Sequence, residues 1–156
     1  MFFDPIATGA ARAGKSLADL NLQVAGGIVA FSNDIEHLIA PRKPGLAFTL
    51  GAMGSRAHNF YNDVYRRAGY EDIALEVQDL WFKKQREAAA ARIPDELVLK
   101  TNLIGTEEMV RERIRIHQVA GVNTLRIEPD GDTLDERLAN LGRLVELVKE
   151  VNTERS

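Results

Sequence analysis

The sequence contains no cysteine, so disulfide bonds and thiolate metal sites are excluded. No uninterrupted apolar run approaches the roughly 20 residues that a helix needs to span a bilayer. The opening residues, Met1-Phe2-Phe3-Asp4-Pro5, lack the basic region and the long apolar core of a signal peptide. We therefore expect a cytoplasmic protein that does not bind a membrane.

An excess of positive charge is also missing. The chain has 20 Lys and Arg against 23 Asp and Glu, which gives a net charge of −3. This balance disfavours a protein that binds nucleic acid through a basic surface. The 156 residues are 45% hydrophobic and 28% charged, which is ordinary for a globular protein and enough for a single domain.

Two segments have the character of β-strands. Residues 22–31, LQVAGGIVAF, are mostly apolar, as in a strand that is buried on both faces, and their two glycines indicate a bulge or a close backbone approach. Thr124–Glu128 follows a charged amphipathic helix that Gly121 ends, and we treat the preceding residues 103–106 as a loop. Alternation of strands with helices favours a parallel α/β sheet whose ligands sit at the carboxyl ends of the strands.

The remaining segments favour helices. Thr106 can cap one of them, and Thr133 with Glu136 forms a capping box for the last. In that last helix the predicted buried stripe is Leu134, Leu138, Leu141, Val145 and Val148. The segment 44–54 is ambiguous, because Phe48-Thr49 favours a strand and the spacing of the apolar residues favours a helix, and we favour the helix. The predicted helical ranges are 35–40, 44–54, 56–68 with Gly69 at its end, 71–91, 94–97, 107–120 and 134–151.

Near the amino end, Gly9–Ser16 (GAARAGKS) matches the phosphate-loop pattern G-x-x-x-x-G-K-[ST]. That pattern requires a strand before it and a helix that begins at the Lys-Ser pair. Pro5 is unsuited to such a strand, and the interior residues favour a short helix that ends at Gly14. A phosphate-loop nucleotide binder is therefore a lesser hypothesis. Because Phe2 and Phe3 start the chain so abruptly, we infer that it begins in the middle of a larger fold.

A second glycine-rich turn, Gly51–Gly54, precedes a helix and could bring backbone N–H groups near an anion. A simple corner between two helices is the alternative. The nearby His58, Asn59 and Tyr61 bring imidazole, amide and phenol together, and this favours a site.

Other polar residues are weaker candidates. His37 and His117 are poor catalytic candidates, and His117 is better explained as a partly buried structural side chain. The three histidines have no metal-ligand spacing, so no metal site is predicted. Glu128 ends the last strand and could face a ligand or solvent, whereas Asp130 is expected in a turn and Asp132 near a helix cap.

With these pieces in place, the chain resembles the luciferase-like monooxygenase superfamily, in particular its deazaflavin-dependent oxidoreductases. The resemblance lies in GLAFTLGAMGSRAHNFYNDVYRRAGY, IPDELVLKTNLIGTEEMVRERI and AGVNTLRIEP, with LQVAGGIVAFSND as a further strand. It implies the carboxyl-terminal part of a (β/α)8 barrel, about strands six to eight. Residues 2–5 would follow the sixth strand, 24–31 would be the seventh and 124–128 the eighth. Residues 44–100 would form a helical excursion between the seventh and eighth strands of one domain, 1–156.

The resemblance further implies hydride transfer between a reduced deazaflavin, coenzyme F420, or a flavin such as FMN and a small organic substrate. The expected cofactor-binding or pocket-adjacent residues are Gly51, Met53, Gly54, His58, Asn59, Tyr61 and Glu128. No catalytic residue is assigned. Because five strands of such a barrel are missing, we expect a homo-oligomer or a complex with a chain that supplies them. A non-catalytic assembly module made of a partial barrel is the main alternative.

Overall fold

The computed structural model describes residues 3–154, and its centre is a three-stranded sheet. The strands are β1 (Gln23–Phe31), β2 (Leu103–Gly105) and β3 (Thr124–Pro129). Both β2 and β3 pair with β1 in parallel, so the order is β2-β1-β3 and the first strand is central. The parallel α/β sheet is thus confirmed, and the numbering of its strands within a barrel stays a prediction.

The strand β2 corrects the expectation of a loop at residues 103–106. Leu103, Ile104 and Gly105 are all buried and pair with Val29, Ala30 and Phe31. Three residues are too few for a period-two pattern to emerge in the sequence. The strand is therefore defined by its partner β1 and not by its own composition.

Helices occupy most of the rest of the described chain. Six of them, α2 to α7, lie between β1 and β2, and the last five of these, which span 43–101, correspond to the helical excursion predicted over 44–100. In the described part of the chain, no helix has the length and apolar character needed to cross a membrane. The helices are α1 (Phe3–Arg12), α2 (Ile35–Ile39), α3 (Lys43–Ala52), α4 (Phe60–Tyr65), α5 (Glu71–Phe82), α6 (Arg86–Ala91), α7 (Asp95–Thr101), α8 (Glu107–Val119) and α9 (Leu134–Thr153); Leu17–Asp19 and Ala40–Arg42 are 3-10 turns and Arg66–Tyr70 is a π turn.

Several helix boundaries follow from caps that the sequence predicted. Thr106 accepts a hydrogen bond from the backbone of Met109 at the start of α8, and Thr133 with Glu136 forms the capping box of α9. The ambiguous segment 44–54 is helical, as α3, with its proline in the first turn. Gly69 has φ 95°, which ends the helical stretch as expected.

Three predicted helices are wrong in extent. The short turn expected over 94–97 is a longer helix, α7, which continues to Thr101. The helix expected over 56–68 begins only at Phe60, because Asn59 caps it with its side chain. The single helix expected over 71–91 is divided into α5 and α6. Lys84 has φ 62° there, a left-handed conformation that ends α5, and no glycine marks the position.

At the amino end, α1 begins at Phe3, within the residues 2–5 that the family resemblance places after a sixth strand. Phe2 lies outside the described residues. Pro5 lies in the first turn of α1, where its missing N–H costs nothing. Gly14 follows the helix with φ 69°, so the predicted short helix that ends at Gly14 is confirmed.

Two hydrophobic clusters pack on opposite faces of β1. Ala30 belongs to the cluster formed with the helical excursion, whereas Val29 belongs to the cluster formed with α8 and α9. The prediction of a strand buried on both faces is therefore confirmed for its carboxyl half. In the amino half, Gln23 and Ala25 are exposed.

The buried stripe predicted for α9 is wrong. The residues that α9 buries are Leu144, Leu147 and Val151, which join the cluster with Val29. Val148 packs partly against that cluster. The other predicted members, Leu134, Leu138, Leu141 and Val145, are exposed. α9 carries two apolar stripes, and the pattern alone did not tell which one the chain's own sheet uses.

Candidate functional site

The carboxyl ends of the three strands lie at one edge of the sheet, because both outer strands are parallel to β1. Two backbone hydrogen bonds continue the pairing past the strand ends. Ser32 donates to the carbonyl of Gly105 at 3.0 Å, and Asp130 donates to the carbonyl of Val29 at 2.9 Å. The side chains after each strand therefore lie close together, as expected for a ligand site in an α/β sheet.

One face of β3 is uncovered beside the middle of β1. Leu125 and Ile127 pack against the cluster under α8 and α9, so Arg126 and Glu128 point to the opposite face, where they are exposed. A cavity of about 460 Å³ opens on that face. Its lining comprises Ala25, Gly27, Ile28, Asn102, Arg126, Ile127 and Glu128. Glu128 thus borders a cavity beside a cation, and its predicted part in cofactor binding stays a prediction.

The wall of this cavity depends on a bulge in β1 that Asn102 supports. The register of β1 against β3 shifts between Ala25 and Gly27, and Gly27 has φ 72°. A Cβ at Gly27 would lie 2.3 Å from the carbonyl oxygen of Thr101, so no larger residue fits. The side chain of Asn102 then accepts a hydrogen bond from Ile28 N–H at 2.9 Å. Glycine in the strand hinted at the bulge, but nothing in the sequence linked it to Asn102.

A second cavity, of about 570 Å³, lies beyond the ends of β1 and β3. Arg42 forms an ion pair with Asp130 and donates to the carbonyl of Leu38 at 2.7 Å. Its Nε is buried and has no hydrogen-bond partner within residues 3–154. His37 also lines this cavity and is exposed. Sequence reasoning missed Arg42, because its partner Asp130 is 88 positions away.

The acidic residues at the rim of this second cavity are structural. Backbone N–H groups of Thr133 and Asp132 donate to Glu136, which holds the pKa of that carboxyl below its usual range. Thr133, and not Asp132, caps α9. Asp130 lies next to Gly131, which has φ 142°, but neither residue is in a turn, and the chain bends one step later, at Asp132 and Thr133. Within residues 3–154, no group of three or more His, Asp or Glu side chains could hold a metal ion.

The glycine-rich turn Gly51–Gly54 lies apart from both cavities, at the end of α3. Gly51 is buried, and a Cβ there would lie 2.5 Å from Cβ and Cγ of Trp81. Ser55 N–H donates to the carbonyl of His58, and His58 N–H donates to Ser55 Oγ, each at 3.0 Å. These two N–H groups, which follow the glycine-rich turn, are therefore engaged in local hydrogen bonds.

The polar residues that follow the turn differ in environment. Asn59 is buried and donates to the carbonyl of Leu50 at 3.0 Å, while its side-chain oxygen caps α4. Met53, His58 and Tyr61 are exposed, and the Tyr61 ring stacks edge-on against Phe60. None of these residues lines either of the two cavities, so the structure does not bring them to Glu128 there. Their assignment to a cofactor pocket stays a prediction.

The phosphate-loop pattern has the wrong structural context. Gly9 to Arg12 lie inside α1, and no strand precedes them among the described residues. Ser16 caps the 3-10 turn Leu17–Asp19, where the pattern requires a long helix. The structure therefore offers no support for nucleotide binding at Gly9–Ser16.

Comparison with known proteins gives the family. Residues 1–124 match the family model described as luciferase-like monooxygenase. A Mycobacterium tuberculosis protein that carries the name of a coenzyme F420-dependent oxidoreductase is 36% identical over 117 residues. These residues are 75% of this chain and 33% of that relative, so the chain spans about a third of the relative's length. No solved structure matches the chain. With most of its length matched, the chain belongs to the luciferase-like monooxygenase family.

Proposed function

We propose that this chain is part of an oxidoreductase that transfers a hydride between reduced coenzyme F420 and a small organic substrate. Two findings support the proposal: the family match over residues 1–124, and the name that the mycobacterial relative carries. FMN is the alternative cofactor, since both cofactors are expected in this family. The observation that supports a site in this chain is the uncovered face of β3, where Arg126 and Glu128 border a cavity beside the middle of β1.

The residues of this face fit one wall of a ring-binding pocket. Ala25, Gly27 and Ile28 present little side-chain bulk and a largely apolar surface, against which a flat heteroaromatic ring can lie. Arg126 supplies a cation for an anionic group of the cofactor or the substrate. When bound, the deazaflavin supplies the hydride chemistry, and the protein holds and orients it.

Glu128 has a different role in this proposal. Glu128 lies two residues from Arg126 on the same face, so their Cα atoms are about 7 Å apart by strand geometry and the pair presents opposite charges on one surface. Such a pair can orient a polar substrate that has both a donor and an acceptor. We assign no catalytic acid, because no described side chain is placed against a reacting atom.

The proposal is tested by titrating the chain with coenzyme F420 and following ring fluorescence, with FMN in a parallel titration. Ala25→Trp places a large side chain in the cavity and should abolish binding. Gln23→Trp is the matched control, because Gln23 is exposed on the same strand but does not line the cavity. Arg126→Ala should weaken binding about tenfold, which corresponds to about 1.4 kcal/mol.

Two outcomes would count against the proposal. If neither cofactor binds at several hundred micromolar, the chain by itself does not form the site. If Gln23→Trp reduces binding as much as Ala25→Trp does, the cofactor binds somewhere other than the uncovered face of β3.

A further inference from the structure

Arg126 and Glu128 lie side by side on the uncovered face of β3, and their charges are not paired with each other. Both side chains are exposed and border the same cavity. Among residues 3–154 neither side chain makes an ion pair or a hydrogen bond, whereas charged neighbours such as Lys149 and Glu146 do pair. Side chains of a strand stand roughly perpendicular to the sheet, so these two run side by side and leave a gap between their charged ends.

The floor of the cavity between the two charges is apolar and low. Ala25 of β1 lies opposite Arg126. Ile28 lies opposite Glu128, and the bulge places Gly27, which has no side chain, between the two. The cavity has a volume of about 460 Å³, which is ordinary for a small-molecule site. An apolar floor with one cation and one anion beside it suits a small ligand that has a flat apolar body and polar ends.

The two charges decide which polar ends such a ligand has. Arg126 presents a planar fork of N–H donors that matches a carboxylate, and Glu128 accepts hydrogen bonds from O–H or N–H groups. A neutral apolar ligand would remove water from both charges and give them no partner in return, which is costly. A dianion would satisfy Arg126 but would be repelled by Glu128. The ligand that satisfies both side chains is a monoanion that also carries a hydrogen-bond donor.

We propose that the substrate bound at Arg126 and Glu128 is a small organic monoacid with a flat apolar body and a hydroxyl or amino group opposite its carboxylate. The carboxylate accepts hydrogen bonds from Arg126, and the hydroxyl or amino group donates to Glu128. Arg126 has five N–H donors, so it can also serve an anionic group of the cofactor. The inference rests on the proposed function, because it names the substrate class of the same site.

A series of probes that differ by one group each tests this class. 4-Hydroxybenzoate has both polar groups, benzoate lacks the donor, 4-hydroxybenzamide lacks the charge, and terephthalate carries a second carboxylate in place of the hydroxyl. Their dissociation constants for the chain are measured by ligand-observed NMR, with and without coenzyme F420. We expect 4-hydroxybenzoate to bind about fivefold more tightly than benzoate or 4-hydroxybenzamide, and terephthalate to bind most weakly.

Variants assign each charge to a group of the probe. Arg126→Gln should weaken the binding of 4-hydroxybenzoate about tenfold and change that of 4-hydroxybenzamide by less than about twofold, because only the acid uses the positive charge. Glu128→Gln should strengthen the binding of terephthalate about fivefold, because it removes the repulsion, and should leave that of benzoate unchanged. Arg67→Gln is the matched control, since Arg67 is also exposed but does not line the cavity, and it should leave every affinity unchanged.

The proposal is overturned if 4-hydroxybenzoate and 4-hydroxybenzamide bind equally well, or if no probe binds at millimolar concentrations. The unmodified chain decides both points, so the test holds even where a variant does not fold. A loss of 4-hydroxybenzamide binding in Arg126→Gln that equals the loss of 4-hydroxybenzoate binding would also overturn it, because Arg126 would then act through shape and not through charge.

Cofactor fluorescence is a separate readout. Discrimination among the probes without any binding of coenzyme F420 or FMN would overturn the proposed function and leave recognition of the monoacid standing. Cofactor binding without discrimination among the probes would overturn this inference alone.

Discussion

The side-chain oxygen of Asn102 accepts a hydrogen bond from the backbone N–H of Ile28 at 2.9 Å, across 74 positions of sequence. The bond is made at the bulge of β1, where Gly27 leaves the regular strand conformation. The amide nitrogen of Asn102 donates to the carbonyl of Val98 at 2.9 Å, so one side chain joins α7 to the central strand. This arrangement shapes the cavity that Arg126 and Glu128 border.

Asn102→Ala should destabilise the fold by about 1–3 kcal/mol, because it leaves the partly buried N–H of Ile28 without an acceptor. Asn102→Asp keeps the acceptor and loses the donation to Val98, so its cost should be smaller. Urea unfolding followed by circular dichroism measures both. Equal losses for the two variants would mean that the acceptor to Ile28 is not the important contact.

Gly51→Ala should also destabilise the protein, by about 1–3 kcal/mol, because its Cβ would lie 2.5 Å from the Trp81 side chain. Trp81 is the chain's only tryptophan, so its fluorescence reports the local change. Gly45→Ala is the matched control in the same helix, where a Cβ meets nothing within 4 Å. If Gly51→Ala lowered cofactor binding without lowering stability, Gly51 would have the pocket role that the sequence predicted.

Local signals in the sequence predicted much of the fold. Thr106 and Thr133 could be recognised as helix caps from the sequence, because each accepts a hydrogen bond from the backbone N–H of the residue three positions later. The apolar run of β1 and the later Thr124–Glu128 segment predicted two parallel strands, and these pair directly. These features depend on residues that are close in sequence, so the sequence alone is enough to predict them.

The errors lie where distant residues decide the structure. β2 is a strand because β1 pairs with it, and α9 buries Leu144 and Leu147 because those residues face its own sheet. The alternative stripe through Leu138 and Leu141 has an equally regular spacing, and periodicity has no means of choosing between them. Lys84 ends α5 in a left-handed conformation that residue type alone does not predict.

Only a small part of the candidate site could be predicted from the sequence. Glu128 was named because it ends a strand, and it does border a cavity. The sequence did not identify Asn102, Arg126 and Arg42. Their positions beside the cavities depend on a distant partner or on the face of a strand, and only the fold determines these. Steric contacts explain why positions 51 and 54 are glycine. A Cβ at Gly51 would meet Trp81, and a Cβ at Gly54 would meet the carbonyl of His58.

His117 should make stability depend on pH. Partial burial, and secondarily the charge of Arg113, lower the pKa of His117 from its ordinary value of 6.5. The unfolded chain therefore takes up a proton first as pH falls below about 6.5, so the free energy of unfolding should decrease there and level off once the folded form is protonated too. Above that pH both states are neutral and the effect is absent. His117→Gln should flatten this part of the profile, and an unchanged profile for this variant would contradict the assignment.

Variants of Arg42 test how a buried cation contributes to the stability of the protein at the carboxyl edge of the sheet. Arg42→Ala should cost about 1–3 kcal/mol, because it removes the pair with Asp130 and the packing of a side chain that is only 14% exposed. Arg42→Met should cost less or even stabilise, since it keeps the apolar bulk and removes the buried Nε that has no hydrogen-bond partner among the described residues. Asp130→Asn, combined with each Arg42 variant, completes a double-mutant cycle in which the coupling between the two side chains is measured by urea unfolding. If Arg42→Met is as costly as Arg42→Ala, the charge contacts and not the packing hold this edge, and Arg42 should then be treated as the residue that fixes Asp130 beside the cavity.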